Sequence, residues 1–132
     1  MRVMVDTNVL VSALLFPSPL MNRVIYKITT DHRLVLSSYV IDELLNVTRR
    51  RFPNRTEAVD LLLKRLPYEL VRTPERPDGG LFHIRDEKDY PILMSAMDAG
   101  IDVLVSGDKD FSCLDCERPE ILTLFQFKER YL

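Results

Sequence analysis

The chain has 132 residues, the length of one domain with a single core, and we expect residues 1–132 to form that domain. Apolar residues make up 46% and charged residues 29%, the balance of an ordinary globular protein. The sequence has no apolar stretch long enough to predict a membrane span, and its formal charge of −2 differs from that of a strongly basic nucleic-acid binder. We therefore expect a cytoplasmic protein without a membrane partner.

The chain begins with a short strand followed by two helical segments. Residues 3–5 are an apolar run that ends at Asp6 and predicts a strand. Residues 9–15 have the pattern of a short helix, closed by the proline-rich breaker at 16–19. Apolar residues then recur at helical spacing over 20–30, which predicts a second helix.

A second strand and two further helices follow. Residues 33–36 are rich in branched side chains and predict a strand. Ser37 and Ser38 are suitable caps for a helix over 38–51, and Pro53 should end this helix. Residues 56–66 again show the helical period, and residues 69–71 predict a weaker third strand.

The remaining segments complete an alternation of strands and helices. Residues 74–86 hold several helix breakers and predict a loop, whereas residues 89–99 predict a helix that Gly100 ends. Residues 103–105 predict a buried strand, and a short helix should follow Asp108. The chain then closes with a strand near residues 121–122 and an amphipathic segment at 125–132. This order predicts an α/β fold with a parallel sheet.

Acidic residues stand where the strands and helices should bring them together. Asp6 and Asp108 each follow a short strand, so both should lie at the carboxyl edge of the sheet, where ligands bind in open α/β folds. Asp110 follows closely, Asp89 begins the helix that leads to the same edge, and Glu43 borders the apolar stripe of its own helix. Converging carboxylates are hard oxygen ligands, and this set favours Mg²⁺ or Mn²⁺. Two such ions could assist phosphodiester hydrolysis.

Each acid also has an ordinary structural interpretation. Asp6 and Asp89 could cap the helices that follow them, and Asp108 and Asp110 could be loop residues. Glu43 could be a solvated helix residue. The common direction of the acids, and no single position, is what favours a metal site.

A mildly basic surface would surround such a site. Without the five acids, 15 of the 20 acidic residues remain against 18 basic ones. The basic run of Arg49, Arg50 and Arg51 closes the predicted helix that carries Glu43. These arginines could contact an RNA backbone, or they could simply be favoured by the helix dipole.

The two cysteines do not predict a metal or redox site. Cys113 and Cys116 form a C-x-x-C pair, but a structural zinc site needs four ligands. The only histidines, His32 and His83, do not stand at a matching spacing. We interpret both cysteines as reduced thiols of a cytosolic protein.

Five segments of the sequence together resemble the motifs of PIN-domain nucleases. They are VDTNVL at 5–10, ELL at 43–45, DYPILMSA at 89–96, SGDKDF at 106–111 and ILT at 121–123. The segments follow one another in the family's order and span nearly the whole chain. The chain most resembles the stand-alone PIN proteins classed as toxins of toxin–antitoxin pairs, which are VapC-like.

The resemblance implies a fold, an activity and partners. It implies a three-layer α/β/α sandwich with parallel strands in the order 3-2-1-4-5. It also implies an endoribonuclease that uses one or two Mg²⁺ or Mn²⁺ ions and is restrained by a small antitoxin protein. Apolar residues on the predicted helix 56–66, beyond those one small core needs, would serve antitoxin binding or a homodimer.

The resemblance also implies roles for individual residues. The catalytic, metal-binding acids would be Asp6, Glu43, Asp89 and Asp108, with Asp110 as a further metal ligand. Asn8 would orient Asp6 and its water, although a turn residue is an equal interpretation, and Ser106 would support the site beside Asp108. The chain departs from the family pattern in carrying Pro91 after the third acid. Asp86 competes with Asp89 for that third role, and the helical pattern favours Asp89.

Other functions fit the sequence less well. A phosphatase that begins with a strand and a nucleophilic Asp needs a second Asp two residues on, where this chain has Asn8. A response-regulator receiver needs an adjacent acidic pair after the first strand, and Asp6 has Val5 and Thr7 as neighbours. A PIN-fold RNA-processing factor, or a PIN fold that only binds RNA or protein, remains the alternative to a toxin nuclease.

Overall fold

A computed structural model of the chain describes residues 1–74, 90–107 and 119–132. Within these ranges, five strands form one parallel sheet in the order β3-β2-β1-β4-β5. The strands are β1 (Arg2–Val5), β2 (Arg33–Ser37), β3 (Glu69–Val71), β4 (Val103–Val105) and β5 (Glu120–Leu122). The predicted parallel sheet and its strand order are both confirmed.

Helices cover both faces of this sheet. Within the described ranges they are α1 (Thr7–Leu15), α2 (Pro19–Asp31), α3 (Ser38–Arg51), α4 (Thr56–Arg65), α5 (Tyr90–Asp98) and α6 (Leu124–Tyr131), with a 3₁₀ turn at Pro53–Arg55. Helix α2 packs against α6, whereas α1 and α4 pack against α3. Every side chain of the central strand segments 3–5, 34–36 and 103–105 is buried, as a sheet enclosed between two helical layers requires. The fold is therefore the three-layer α/β/α sandwich that the resemblance to PIN domains implied.

Local signals in the sequence account for most helix boundaries. Ser18 and Ser37 accept hydrogen bonds from the backbone of the turns that follow them, and so cap α2 and α3. Gly100 follows α5 with a φ of 66°, and the N–H of the next residue, Ile101, donates to the Ala96 carbonyl. Residues 75–86 of the predicted loop at 74–86, and the predicted short helix after Asp108, lie outside the described residues.

No single helix among the described residues combines the length and apolarity needed to span a membrane. Helices α1 and α2 have this length and apolarity only when they are taken together, and the chain bends by 113° between them.

An ionic cluster joins three strands at the amino edge of the sheet, opposite Asp6. The Glu69 carboxylate on β3 pairs with the guanidinium of Arg2 on β1 and, at 3.5 Å, with that of Arg33 on β2. The hydrogen bond from Arg2 lowers the pKa of Glu69 below its ordinary value of 4.5, and the Arg33 charge adds to this effect. The ionised carboxylate therefore stabilises the edge strand β3.

We expect Glu69→Gln to lower the free energy of unfolding at neutral pH, by less than about 1 kcal/mol because solvent reaches the pair. A lowered pKa stabilises the fold above the unfolded-state pKa, and this stabilisation disappears as the pH falls through the folded-state value. Urea unfolding of parent and variant should therefore converge well below pH 4.5. Glu129→Gln, at an exposed position on α6, is the control. A difference between parent and Glu69→Gln that persists in acid would contradict this account.

Candidate metal centre

The position of Asp6 follows from the pairing of two central strands. Val5 at the end of β1 stands opposite Val105 at the end of β4. The Asp6 N–H then donates to the Val105 carbonyl at 3.1 Å. Because the strands are parallel, Asp6 and Ser106 leave the sheet side by side at its carboxyl edge, as the sequence predicted for Asp6.

The Asp6 carboxylate is held from two sides. Its Oδ1 accepts a hydrogen bond from the N–H of Val9 at 2.8 Å, so Asp6 is the N-cap of α1. Its Oδ2 accepts from the Ser106 hydroxyl at 2.6 Å and from the N–H of Gly107 at 3.3 Å. Asp6 is only 4% exposed, and such burial of a carboxylate is costly without donors of this kind. Ser106 thus contacts Asp6, and its predicted role in supporting the site beside Asp108 stays a prediction.

Glu43 lies next to this group through a neighbour of Asp6. It is half-buried on α3, beside the fully buried Leu44. The hydroxyl of Thr7, itself only 7% exposed, donates to Glu43 Oε1 at 3.1 Å. Since Thr7 directly follows Asp6, this bond ties the second acid to the first residue of α1. The structure thereby links Asp6, Glu43 and Ser106 in one group of contacts.

Asn8 stands apart from these contacts. Its side chain is exposed on the first turn of α1. Its predicted role in orienting Asp6 and a water molecule stays a prediction.

Several predicted residues lie outside the described ranges. They are Asp86, Asp89, Asp108, Asp110, Cys113 and Cys116. The described residues on their own contain no group of three or more His, Cys, Asp or Glu side chains able to hold a metal ion. Two linked carboxylates, Asp6 and Glu43, are nevertheless a suitable partial ligand set, because Mg²⁺ is often held by one or two carboxylates together with substrate phosphates.

Sequence reasoning did not identify Thr7 as part of this group. In the sequence it is a β-branched polar residue between Asp6 and an apolar run, a pattern equally typical of a helix start. Its part in the group shows only in the structure, where Thr7 is buried in the first turn of α1 and its hydroxyl therefore requires a partner. That partner belongs to a different helix, so spacing along the chain does not reveal it.

The sequence matches the PIN domain family model over residues 2–110. The fold is similar to that in the crystal structure of VapBC2 from Rickettsia felis bound to a DNA fragment from their promoter. The TM-score is 0.72 at 18% sequence identity, over 93% of this chain and 98% of that chain. It is also similar to the Mycobacterium tuberculosis protein VapC20, described as a Sarcin-Ricin loop cleaving toxin. Here the TM-score is 0.56 at 16% identity, over 83% of this chain and 92% of that chain. No curated protein matches the sequence.

If Thr7 positions Glu43 for a metal ion, Thr7→Val should weaken metal binding much more than it weakens the fold. Valine keeps the shape of the side chain and removes the donor. The metal-free unfolding free energy should change by only about 1 kcal/mol, because water can reach the half-buried Glu43. Adding Mn²⁺ should raise the melting temperature of Thr7→Val less than that of the parent. Thr7→Ser, which keeps the hydroxyl, should show the parent's rise. An equal Mn²⁺-induced rise in all three proteins would contradict the positioning role.

Proposed function

The chain belongs to the PIN-domain family, and from that premise we propose that it is a divalent-metal-dependent endoribonuclease. We propose residues 1–132 as its single nuclease domain, with Mg²⁺ or Mn²⁺ as the cofactor. The ligands would be Asp6 and Glu43 together with Asp89, Asp108 and Asp110. The observation that carries the proposal is the buried Asp6 carboxylate, fixed by three donors at the carboxyl edge of the sheet and linked through Thr7 to Glu43.

The residues around Asp6 suit the work of a metal ligand. The Val9 and Gly107 N–H groups and the Ser106 hydroxyl hold the carboxylate in one orientation, so little entropy is lost when it binds a cation. The Thr7 hydroxyl does the same for one oxygen of Glu43. When bound, the cation would supply an activated water and neutralise charge on the phosphate. The part of the described residues is to orient the two carboxylates through these hydrogen bonds.

The similar structures support a narrower proposal about biology. One contains VapBC2 from Rickettsia felis with promoter DNA, and the other is a toxin that cleaves the Sarcin-Ricin loop. We propose that this chain is the cytoplasmic toxin of a toxin–antitoxin pair, with a small antitoxin protein as its partner. Leu61 and Leu62 on α4 are 48% and 40% exposed, which supports the predicted contact of this helix with an antitoxin or a second copy of the chain.

We expect Asp6→Asn to abolish Mn²⁺-dependent cleavage of labelled RNA while the protein still folds. The amide is a poorer ligand for a hard cation than the carboxylate. It can still cap α1, but its NH₂ group then faces the Gly107 N–H, so we expect a loss of about 1–2 kcal/mol in unfolding free energy. Cleavage is followed on gels with and without chelator, and folding by circular dichroism.

Asp102→Asn is the matched control for this experiment. Asp102 immediately precedes β4, at the opposite edge of the sheet, where it accepts a hydrogen bond from the Arg2 N–H. The control should retain cleavage even where it costs some stability. Undiminished Mn²⁺-dependent cleavage by Asp6→Asn would remove Asp6 from the site.

Expression of this protein alone should slow the growth of a bacterial host, because an open nuclease site would need restraint from a partner. Growth curves at matched expression should show the defect for the parent and not for Asp6→Asn. A small antitoxin protein encoded next to the gene, when co-expressed, should relieve it. Equal growth of parent and variant, with both proteins soluble, would favour an RNA-processing role instead.

A further inference from the structure

A pocket on the surface of α3 begins at Glu43 and continues away from the Asp6 group. It has a volume of about 360 Å³ and is lined by Glu43, Asn46, Val47, Arg49 and Arg50. Glu43 is thus shared between this pocket and the group of contacts around Asp6. Any molecule in the pocket would lie directly beside that group.

Helix geometry explains why these residues share one surface. Positions 43, 46, 47 and 50 are spaced i, i+3, i+4 and i+7, so they lie along one face of α3. Arg50 stands two turns beyond Glu43, which is about 10 Å along the helix axis at 1.5 Å per residue. The face therefore changes from acidic to basic over a short distance, with Asn46 and Val47 between.

The arginines at the basic end of the pocket have no acidic partner among the residues that the structure describes. Arg49 and Arg50 are exposed, and neither forms a salt bridge with any residue that the structure describes. By contrast, Arg2 and Arg33 pair with Glu69, and Arg130 pairs with Glu120. The helix dipole favours Arg49, Arg50 and Arg51 alike in the last turn of α3. Of these three arginines, only Arg49 and Arg50 line the pocket beside Glu43. The dipole alone does not explain this difference.

We propose that this pocket binds a nucleotide next to the cleaved phosphate of a single-stranded RNA. Arg50 and Arg49 bind the phosphate of that nucleotide, the Asn46 amide hydrogen-bonds its base or ribose, and Val47 packs against it. The inference rests on the proposed nuclease function, because Glu43 marks the end of the pocket where cleavage would occur. It adds a direction for the substrate, along α3 from Glu43 toward Arg50.

The order of charges along α3 is what favours a phosphodiester chain. A phosphate is repelled by the Glu43 carboxylate unless a cation intervenes, and it is attracted by the arginines further along the helix. RNA has phosphates at regular intervals and can meet both requirements in one chain. Its bases and riboses also use a neutral amide and an apolar surface, which Asn46 and Val47 provide between the two charged ends.

The test is binding of a short fluorescein-labelled single-stranded RNA, measured by anisotropy in chelator at several salt concentrations. We expect Arg50→Gln to bind roughly tenfold more weakly, the effect of one lost charge-assisted hydrogen bond. Its slope of log affinity against log salt should be shallower by about 0.7, the change for one phosphate contact on a single strand. Arg49→Gln should change both quantities in the same direction.

Three further variants separate this pocket from general effects of charge. Arg65→Gln removes an exposed arginine from the last turn of α4, so it matches the loss of charge and dipole stabilisation but should leave the slope unchanged. Asn46→Ala should weaken binding without changing the slope, because a neutral contact releases no counterions. A loss of slope in Arg51→Gln equal to that in Arg50→Gln would overturn the pocket and leave only a basic helix end.

The outcomes also separate this inference from the proposed function. If the parent protein cleaves RNA with Mn²⁺ while Arg50→Gln and Asn46→Ala bind RNA like the parent, the pocket proposal fails and the nuclease proposal stands. If the parent neither binds nor cleaves RNA, the nuclease proposal fails and this inference fails with it. Competition by polyglutamate as effective as that by unlabelled RNA would identify a site for an acidic protein segment and overturn the proposal.

Discussion

The parallel pairing of β1 with β4 is the constraint on which the candidate site depends. The chain passes from β1 to β2 and β3 on one side of the sheet, and then returns to β4 on the other side of β1. Strand order therefore reverses between β1 and β4, the place where open α/β sheets bind ligands. The register of Val5 against Val105 delivers Asp6 and Ser106 to this point together. A shift of one residue in that register would separate the Asp6 carboxylate from the Ser106 hydroxyl. It would also turn the Asp6 side chain toward the other face of the sheet.

The two oxygens of the Asp6 carboxylate make different contacts. Oδ1 of Asp6 caps α1, whereas Oδ2 accepts hydrogen bonds from the Ser106 hydroxyl and the Gly107 N–H. The two interpretations of Asp6 from the sequence, a helix cap and a functional acid, are therefore compatible. The carboxylate can be tolerated at this buried position because the Val9 N–H of α1, the Ser106 hydroxyl and the Gly107 N–H all donate to it.

Periodicity and turn residues predicted most of the fold because those signals are local. The apolar runs at 3–5 and 103–105 became central strands, and the weak run at 69–71 became an edge strand. Helix α1 begins at Thr7, two residues earlier than its apolar pattern indicated. The Asp6 cap adds a first turn in which the polar side chain of Thr7 is buried. The strand order came from the resemblance to PIN domains. The contact of Thr7 with Glu43 could not be predicted from spacing, since it depends on how α1 packs against α3.

Helix α3 connects the acid next to Asp6 with the basic surface beyond it. Its buried residues Val40, Leu44 and Thr48 recur four apart and fix the rotation of the helix about its axis. Once that rotation is fixed, Glu43 is held where the Thr7 hydroxyl can reach it, and Arg50, seven residues on, must lie along the same face. The core packing of one helix therefore sets the position of an acidic and a basic group at once. A change that rotated α3 would move both groups together, so their relative placement is more robust than the placement of either one against the sheet.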